Sequence, residues 1–272
     1  MTEVILVVLR RPEAAAGLLA AAGQLARLMD GARIHAVAVR QPIHHGALAG
    51  GEALMSEVDA LVAAEQAEAA RIAALEAGYD AWRDGPDADE LGAHWTAPEG
   101  SPATVVGELG GRADIVVCGR PTDADPLVRQ EFSASLFGTD RPVLVMPPGE
   151  SRPIGRRVAI AWRDEKRALR AVMPALRWLV HAEETHLLIG LRDDSVPPMP
   201  RVFTEHAIRP ALHALKIGPG PFGQTLLDQA RALSADLLVM GAYAHSPLRE
   251  LILGGVTRYM LQHADLPILM RH

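Results

Sequence analysis

Ala113-Asp-Ile-Val-Val-Cys-Gly119 and Ala235-Asp-Leu-Leu-Val-Met-Gly241 are two versions of one segment within a 272-residue chain. Each follows a helix-like stretch and closes a short, continuous apolar run on a glycine. A polar loop and a second helical stretch come next. Each copy then ends in a proline-led strand, Arg141-Pro-Val-Leu-Val-Met146 in the first and Leu266-Pro-Ile-Leu-Met270 in the second. Toward the start of each copy, Val4-Ile-Leu-Val-Val-Leu9 and Val158-Ala-Ile-Ala-Trp162 are matching opening strands, each followed by charged residues and an Ala/Leu-rich helix. Short apolar strands alternating with amphipathic helices belong to a parallel sheet covered on both faces. The expected fold is α/β, with two tandem flavodoxin/Rossmann-like domains, each a doubly wound parallel sheet with helices on both faces. A chain nearly twice the usual domain size of ~150 residues agrees. Prolines and glycines in Met146-Pro-Pro-Gly-Glu-Ser-Arg-Pro-Ile-Gly155 suit a linker, which places the domains at 1–150 and 151–272.

The first copy is the longer one. Its surplus lies mainly in Gly46–Arg83, an Ala/Glu-rich stretch of strong helix formers. This stretch reads as a long helix or helical hairpin projecting from the first domain, or as a longer crossover helix.

Composition narrows the function classes. With 49% hydrophobic and 22% charged residues, the chain can bury a large core. No uncharged apolar run nears the ~18 residues of a membrane-spanning helix, so no membrane partner is expected. The apolar opening lacks a basic head, and Arg10-Arg11 follow it instead of preceding it, so it reads as a first strand and not as a secretory signal. The lone Cys118 can form neither an internal disulfide nor a multi-cysteine zinc site, which suits a cytoplasmic protein. The net charge is −6. Residues 1–150 carry 11 arginines against 22 acids, whereas residues 151–272 carry 16 basic residues against 11 acids. An acidic chain with 4% aromatics and no basic run is not a nucleic-acid binder; an anionic ligand is better sought in the second half.

The segment Met240-Gly-Ala-Tyr-Ala-His-Ser-Pro-Leu-Arg-Glu-Leu-Ile-Leu-Gly-Gly-Val-Thr257 resembles the Gly-x2-Gly-x9-Gly-Ser/Thr signature of the universal stress protein family. The following Gln262-His-Ala-Asp-Leu-Pro-Ile-Leu-Met270 resembles that family's closing strand. With the first copy included, the likeness covers the whole chain as a tandem member. It implies a nucleotide-phosphate site at Gly241, Ala244, His245, Gly254, Gly255, Val256 and Thr257, with ATP as cofactor and an adenine nucleotide as partner. Physically, a strand-to-helix turn of glycines exposes backbone N–H groups, and a helix N-terminus favours an anion. Thr257 would add a hydroxyl, and phosphate contacts at Gly254–Thr257 would order the Ala242–Leu253 loop.

The chain departs from the pattern. Ala244 stands in place of a glycine, Gly255 in place of a hydroxyl residue, and Arg163 where nucleotide-binding members carry an aspartate, with Asp164 one place late. The first copy has two acids in Gly119-Arg-Pro-Thr-Asp-Ala-Asp-Pro126 and no later Gly-Gly pair, so no nucleotide site is expected there. The function that follows is a stress-associated ligand sensor without catalytic residues. Its rivals are a scaffold that has lost nucleotide and uses Gly46–Arg83 as its contact surface, and a slow ATPase using Asp164. The family's dimerisation through its last strand implies that the two closing strands pair within this chain as a pseudo-dimer; the residues leave a further homodimer open.

Other signals read as structural. Gly218-Pro-Gly-Pro-Phe-Gly223 is a rigid turn before a Gln224–Leu233 helix, because its prolines cannot donate to a phosphate. His44-His45 and His181…His186 lack carboxylates at ligand spacing, so no metal is expected. Cys118 reads as a small core residue. Trp162 reads equally as a core plug or a pocket wall.

Overall fold

The computed structural model describes residues 2–42, 53–88, 90–121, 125–149, 152–163, 166–192, 197–242 and 254–272, with the side chains of 53–57 and of Arg167 excepted. The first half runs β1 (Val4–Val8), α1 (Pro12–Leu28), β2 (Arg33–Val37), α2 (Ala53–Arg83), β3 (Ala93–Thr96), α3 (Pro102–Gly110), β4 (Ile115–Gly119), α4 (Pro126–Gly138) and β5 (Val143–Met146). The second runs β6 (Arg157–Trp162), α5 (Lys166–Leu179), β7 (Glu184–Leu191), α6 (Arg201–Glu205), β8 (Ala211–Lys216), α7 (Phe222–Ala232), β9 (Leu237–Gly241), α8 (Gly255–His263) and β10 (Ile268–Arg271). Strands and helices alternate within each half, as the two sequence periods require, and β5 passes directly to β6.

All ten strands form one sheet in the order β3-β2-β1-β4-β5-β10-β9-β6-β7-β8. Pairing is parallel within each half and antiparallel only where the halves meet, with Ile268 opposite Val145, Leu269 opposite Leu144 and Met270 opposite Val143. The two proline-led strands therefore cover each other's edges at the centre of the sheet. Pro142 and Pro267 lack N–H groups but still serve the ladder as acceptors, from the amides of Val116 and Leu238.

Because alternate strand residues point to opposite faces, the sheet has two cores. One lies under α1, α2 and α5 and the other under α3, α4, α7 and α8. Trp162 is 8% exposed and meets Phe203 edge-on within the first core, so it is a core plug. Cys118 is buried in the second. Gly223 lies just inside α7, which starts two residues earlier than the sequence reading placed it. A Cβ there would come within 2.7 Å of the Tyr259 side chain, so this glycine serves helix packing.

The Ala-Asp start of each repeated segment also has a structural reason. Asp114 Oδ2 accepts from the Val4 amide at 2.8 Å, while the Asp114 amide donates to the Val4 carbonyl. Asp236 repeats this at Arg157 and also accepts from the amides of Gly155 and Arg156. Each aspartate ties the opening strand of its half to the strand beside it.

The Gly46–Arg83 surplus contains one 31-residue crossover helix, α2, from Ala53 onward; residues 46–52 lie outside the described residues. At 1.5 Å per residue it is about 46 Å long, against roughly 17 Å for a five-residue strand. Its later turns bury Ile72, Leu75, Tyr79 and Trp82, while Val58 and Val62 are exposed.

Leu269 is fully buried at the seam between the halves. Leu269→Ala is expected to lower stability by about 2–5 kcal/mol through lost burial and a residual cavity. Urea unfolding followed by circular dichroism would measure this, and a loss below about 1 kcal/mol would show that the seam contributes little.

Candidate functional site

In a doubly wound sheet, a ligand crevice opens beyond the carboxyl ends of the strands, where the strand order reverses. Here that condition is met twice, between β1 and β4 and between β6 and β9. The two places share a backbone plan and differ in what fills them.

In the first half, α4 starts with Asp125 as its N-cap and Pro126 as its first residue. Asp125 Oδ1 accepts from the amides of Leu127 at 2.9 Å and Val128 at 3.4 Å, and Pro126 has no N–H to offer. The helix N-terminus therefore already holds an anion, its own carboxylate. Arg10, just past β1, lies 3.8 Å from Asp125 Oδ2. Arg71 of α2 pairs bidentately with Glu68 and donates to the carbonyls of Arg10 and Val39. Glu131 completes the cluster at 3% exposure; burial raises its carboxyl from 4.5 to about 8, against the pull of Arg10 and Arg71. What remains is a cavity of about 20 Å³ lined by Val8, Arg10, Cys118, Gly119, Glu131 and Phe132 among others, with room for one water. Arg10 Nη1 and Glu131 Oε1 are both buried without a hydrogen bond at this place. The crevice is too small for a nucleotide. Cys118, at its floor, is pushed up to about 12 by burial and is not a thiolate.

In the second half, β9 ends on buried Gly241, and the Ala242 amide is taken by the Arg271 carbonyl at 2.9 Å. Gly254 is the N-cap of α8 with extended backbone (φ −57°, ψ 153°) and contributes no side-chain cap. Gly255 opens the helix, exposed, and among the described residues no atom lies within 4 Å of where its Cβ would be. It has the N–H that Pro126 lacks, and the first N–H groups of a helix have no acceptor within it. Val256 is partly buried. Thr257 is fully buried. Ala244, His245 and Asp164 lie outside the described residues; Arg163 follows β6 at the surface. Of the expected set, the structure brings Gly241, Gly254, Gly255, Val256 and Thr257 to one end of one strand pair.

Elsewhere, a groove of about 540 Å³ opens at the amino ends of the second-half strands. Its charges satisfy one another, Arg156 with Glu183 and Arg231 with Asp265, and it lies at the wrong end of the sheet for the crevice rule. His186 sits between Glu184 at 3.1 Å and His213 at 3.2 Å; burial and its neighbour His186 lower the pKa of His213. His44 and His45 are outside the described residues, and among those described no three His, Cys, Asp or Glu residues are grouped to hold a metal.

The composition of the first crevice was missed by sequence reasoning. Asp125 was visible as a repelling charge, but its capping role needed the Asp-Pro helix start, and Glu131 is indistinguishable in sequence from a solvated helix acid. Its raised carboxyl gives a test. Protonated Glu131 is favoured in the folded protein, so its contribution is intact below about 4.5 and is lost as pH rises toward about 8. Stability should fall across that window with a slope of up to about 1.4 kcal/mol per pH unit. Glu131→Gln should flatten the profile and be more stable than the parent at the alkaline end. Parallel profiles for the two proteins would overturn this assignment.

Comparison with known proteins agrees with the geometry. The universal stress protein family model matches residues 202–272, which include β9, the start of α8 and β10. A search of curated proteins finds no match. Among solved structures, a universal stress protein from Archaeoglobus fulgidus DSM 4304 superposes with a TM-score of 0.68 at 16% identity, covering 98% of this chain and 95% of that one. A putative universal stress protein from Pseudomonas aeruginosa UCBPP-PA14 gives 0.60 at 17% identity, covering 99% and 93%. The chain thus shares the fold of these universal stress proteins over nearly its whole length, and its residues 202–272 match that family's sequence model.

Proposed function

We propose that the second half binds an adenine nucleotide, ATP first, at the carboxyl end of the β6–β9 pair, and that the chain works in the cytoplasm as a stress-associated ligand sensor. One observation carries this reading. The helix start that is closed by Asp125 and Pro126 in the first half has, among the described residues, neither a side-chain cap at Gly254 nor an atom in the space beside Gly255 in the second. Phosphate oxygens would accept from the first amides of α8, and the helix dipole would favour their charge. No catalytic step is assigned, since binding needs only these backbone donors. The departures at Ala244 and Arg163 bear on affinity and on the adenosine end, not on the amides at Gly255 and Val256.

Gly255→Asp separates binding from folding. An aspartate in the first turn suits the helix dipole and replaces a poor helix former, so stability should be unchanged or higher. Its carboxylate, at the helix position that Pro126 holds in the first half and next to the N-cap, would set a negative charge against the phosphate, and ATP affinity should fall about tenfold or more. Gly255→Ser, which supplies a hydroxyl, should bind ATP more tightly than the parent. Isothermal titration of all three proteins reads the outcome. No heat with ATP, ADP or AMP for the parent, or equal affinity in the aspartate variant, would refute the proposal.

A further inference from the structure

The two halves treat corresponding helix faces differently. Setting Val4 on Val158 aligns the copies from strand to helix and places Ala15, Leu19, Gly23 and Ala26 of α1 on Leu169, Met173, Arg177 and Val180, at and just beyond α5. The first set is buried, because α2 lies along α1. A Cβ on Gly78 of α2 would be 3.8 Å from Ala15, and one on Gly23 would be 3.5 Å from Trp82. In the second half, the described residues of the β7–β8 crossover form one short helix, the five-residue α6. Three of the four corresponding positions are exposed and apolar, Leu169 at 39%, Met173 at 48% and Val180 at 53% accessible, while the fourth, Arg177, pairs with Glu3 of the first half. Exposed Lys166 and Arg170 lie along the same helix.

The early turns of α2 offer the complementary surface. From Val58 to Ala67 every residue but Leu61 is exposed. The stretch combines Val58 and Val62 with small alanines and the acids Asp59 and Glu65, and it has no basic residue before Arg71, which is held by Glu68. A helical stretch as exposed as Val58–Ala67 gains little from isolated helix formation in water. A second helix along it would bury the valines, and an Ala-rich surface leaves room for the larger Leu169 and Met173. The charge signs oppose, acids on α2 and bases on α5, following the acidic and basic halves of the chain. Within one molecule α1 occupies the inner side of α2, so the partner for α5 comes from outside.

We infer that the exposed Val58–Ala67 stretch of α2 of a second copy of this chain docks on the Leu169–Met173–Val180 face of α5, so that two chains associate through reciprocal helix pairs. This interface is separate from the β6–β9 crevice and does not depend on nucleotide.

Sedimentation equilibrium of the full chain without nucleotide, over a concentration series, should show the mass rising from one chain toward two. Met173→Glu and Arg170→Glu should each weaken association about tenfold or more, and raised salt should weaken it further. Both side chains are exposed, so circular dichroism and the melting temperature should stay at parental values. Mixing Val62→Cys with Met173→Cys chains under mild oxidation should give a disulfide-linked pair that neither variant forms alone, since Cys118 is buried. One-chain mass at every concentration, a two-chain species indifferent to both charge variants, or no mixed disulfide would overturn the inference. These readouts are independent of ATP binding, so either idea can fail alone.

Discussion

Two four-residue strands hold this protein together as one object. Each closing strand, left alone, would expose an apolar edge of unpaired amides and carbonyls, a surface that invites association. Pairing β5 antiparallel with β10 removes both edges at once and turns two five-stranded sheets into one of ten. The arrangement is reinforced across the seam: Arg120 donates to the Ala264 carbonyl and Arg271 to the Asp140 carbonyl. Because the pairing is antiparallel, the strands of the two halves run in opposite directions. Their crevices therefore open at opposite ends of the sheet, and each half can carry its own chemistry without interfering with the other.

The copies have used that freedom. In the first, an arginine after β1, an ion pair from the crossover helix and two acids of α4 converge on the crevice and close it around a space for one water. In the second, glycines stand where the first has Asp125 and Pro126. The same backbone thus presents its helix donors to an internal carboxylate on one side, while on the other no described side chain caps them. The first half has also taken on a long crossover helix, whereas the second has kept a short one and left α5 partly bare. Both differences fit the two proposals above, in which the first half supplies a contact helix and the second the ligand-facing end.

Much of this was legible in the residues. The paired Ala-Asp-x-x-x-x-Gly segments located β4 and β9, their proline-led successors located the seam, and the surplus at Gly46–Arg83 located α2. The glycines at 241, 254 and 255 marked the strand end and helix start that the structure brings together. Other points were not readable. The aspartates that open the repeated segments look like loop acids until their carboxylates are seen on the backbone of β1 and β6. Thr257 reads in sequence as a hydroxyl at a helix start, and its complete burial appears only in the fold. Trp162 could be read either way until Phe203, from a distant element, was placed against it.

The division follows from the range of the forces involved. Strand and helix type depend on the period of apolar residues along a short stretch, and an internal repeat declares itself by similarity, so the sequence alone determined the parallel architecture, its duplication and the place where the copies join. Which crevice is filled depends on Arg10, Glu68, Arg71, Asp125 and Glu131, which come from three separate parts of the first half. Charges of that kind affect one another strongly only after folding has brought them together and removed the water between them, and that was decided by the tertiary structure.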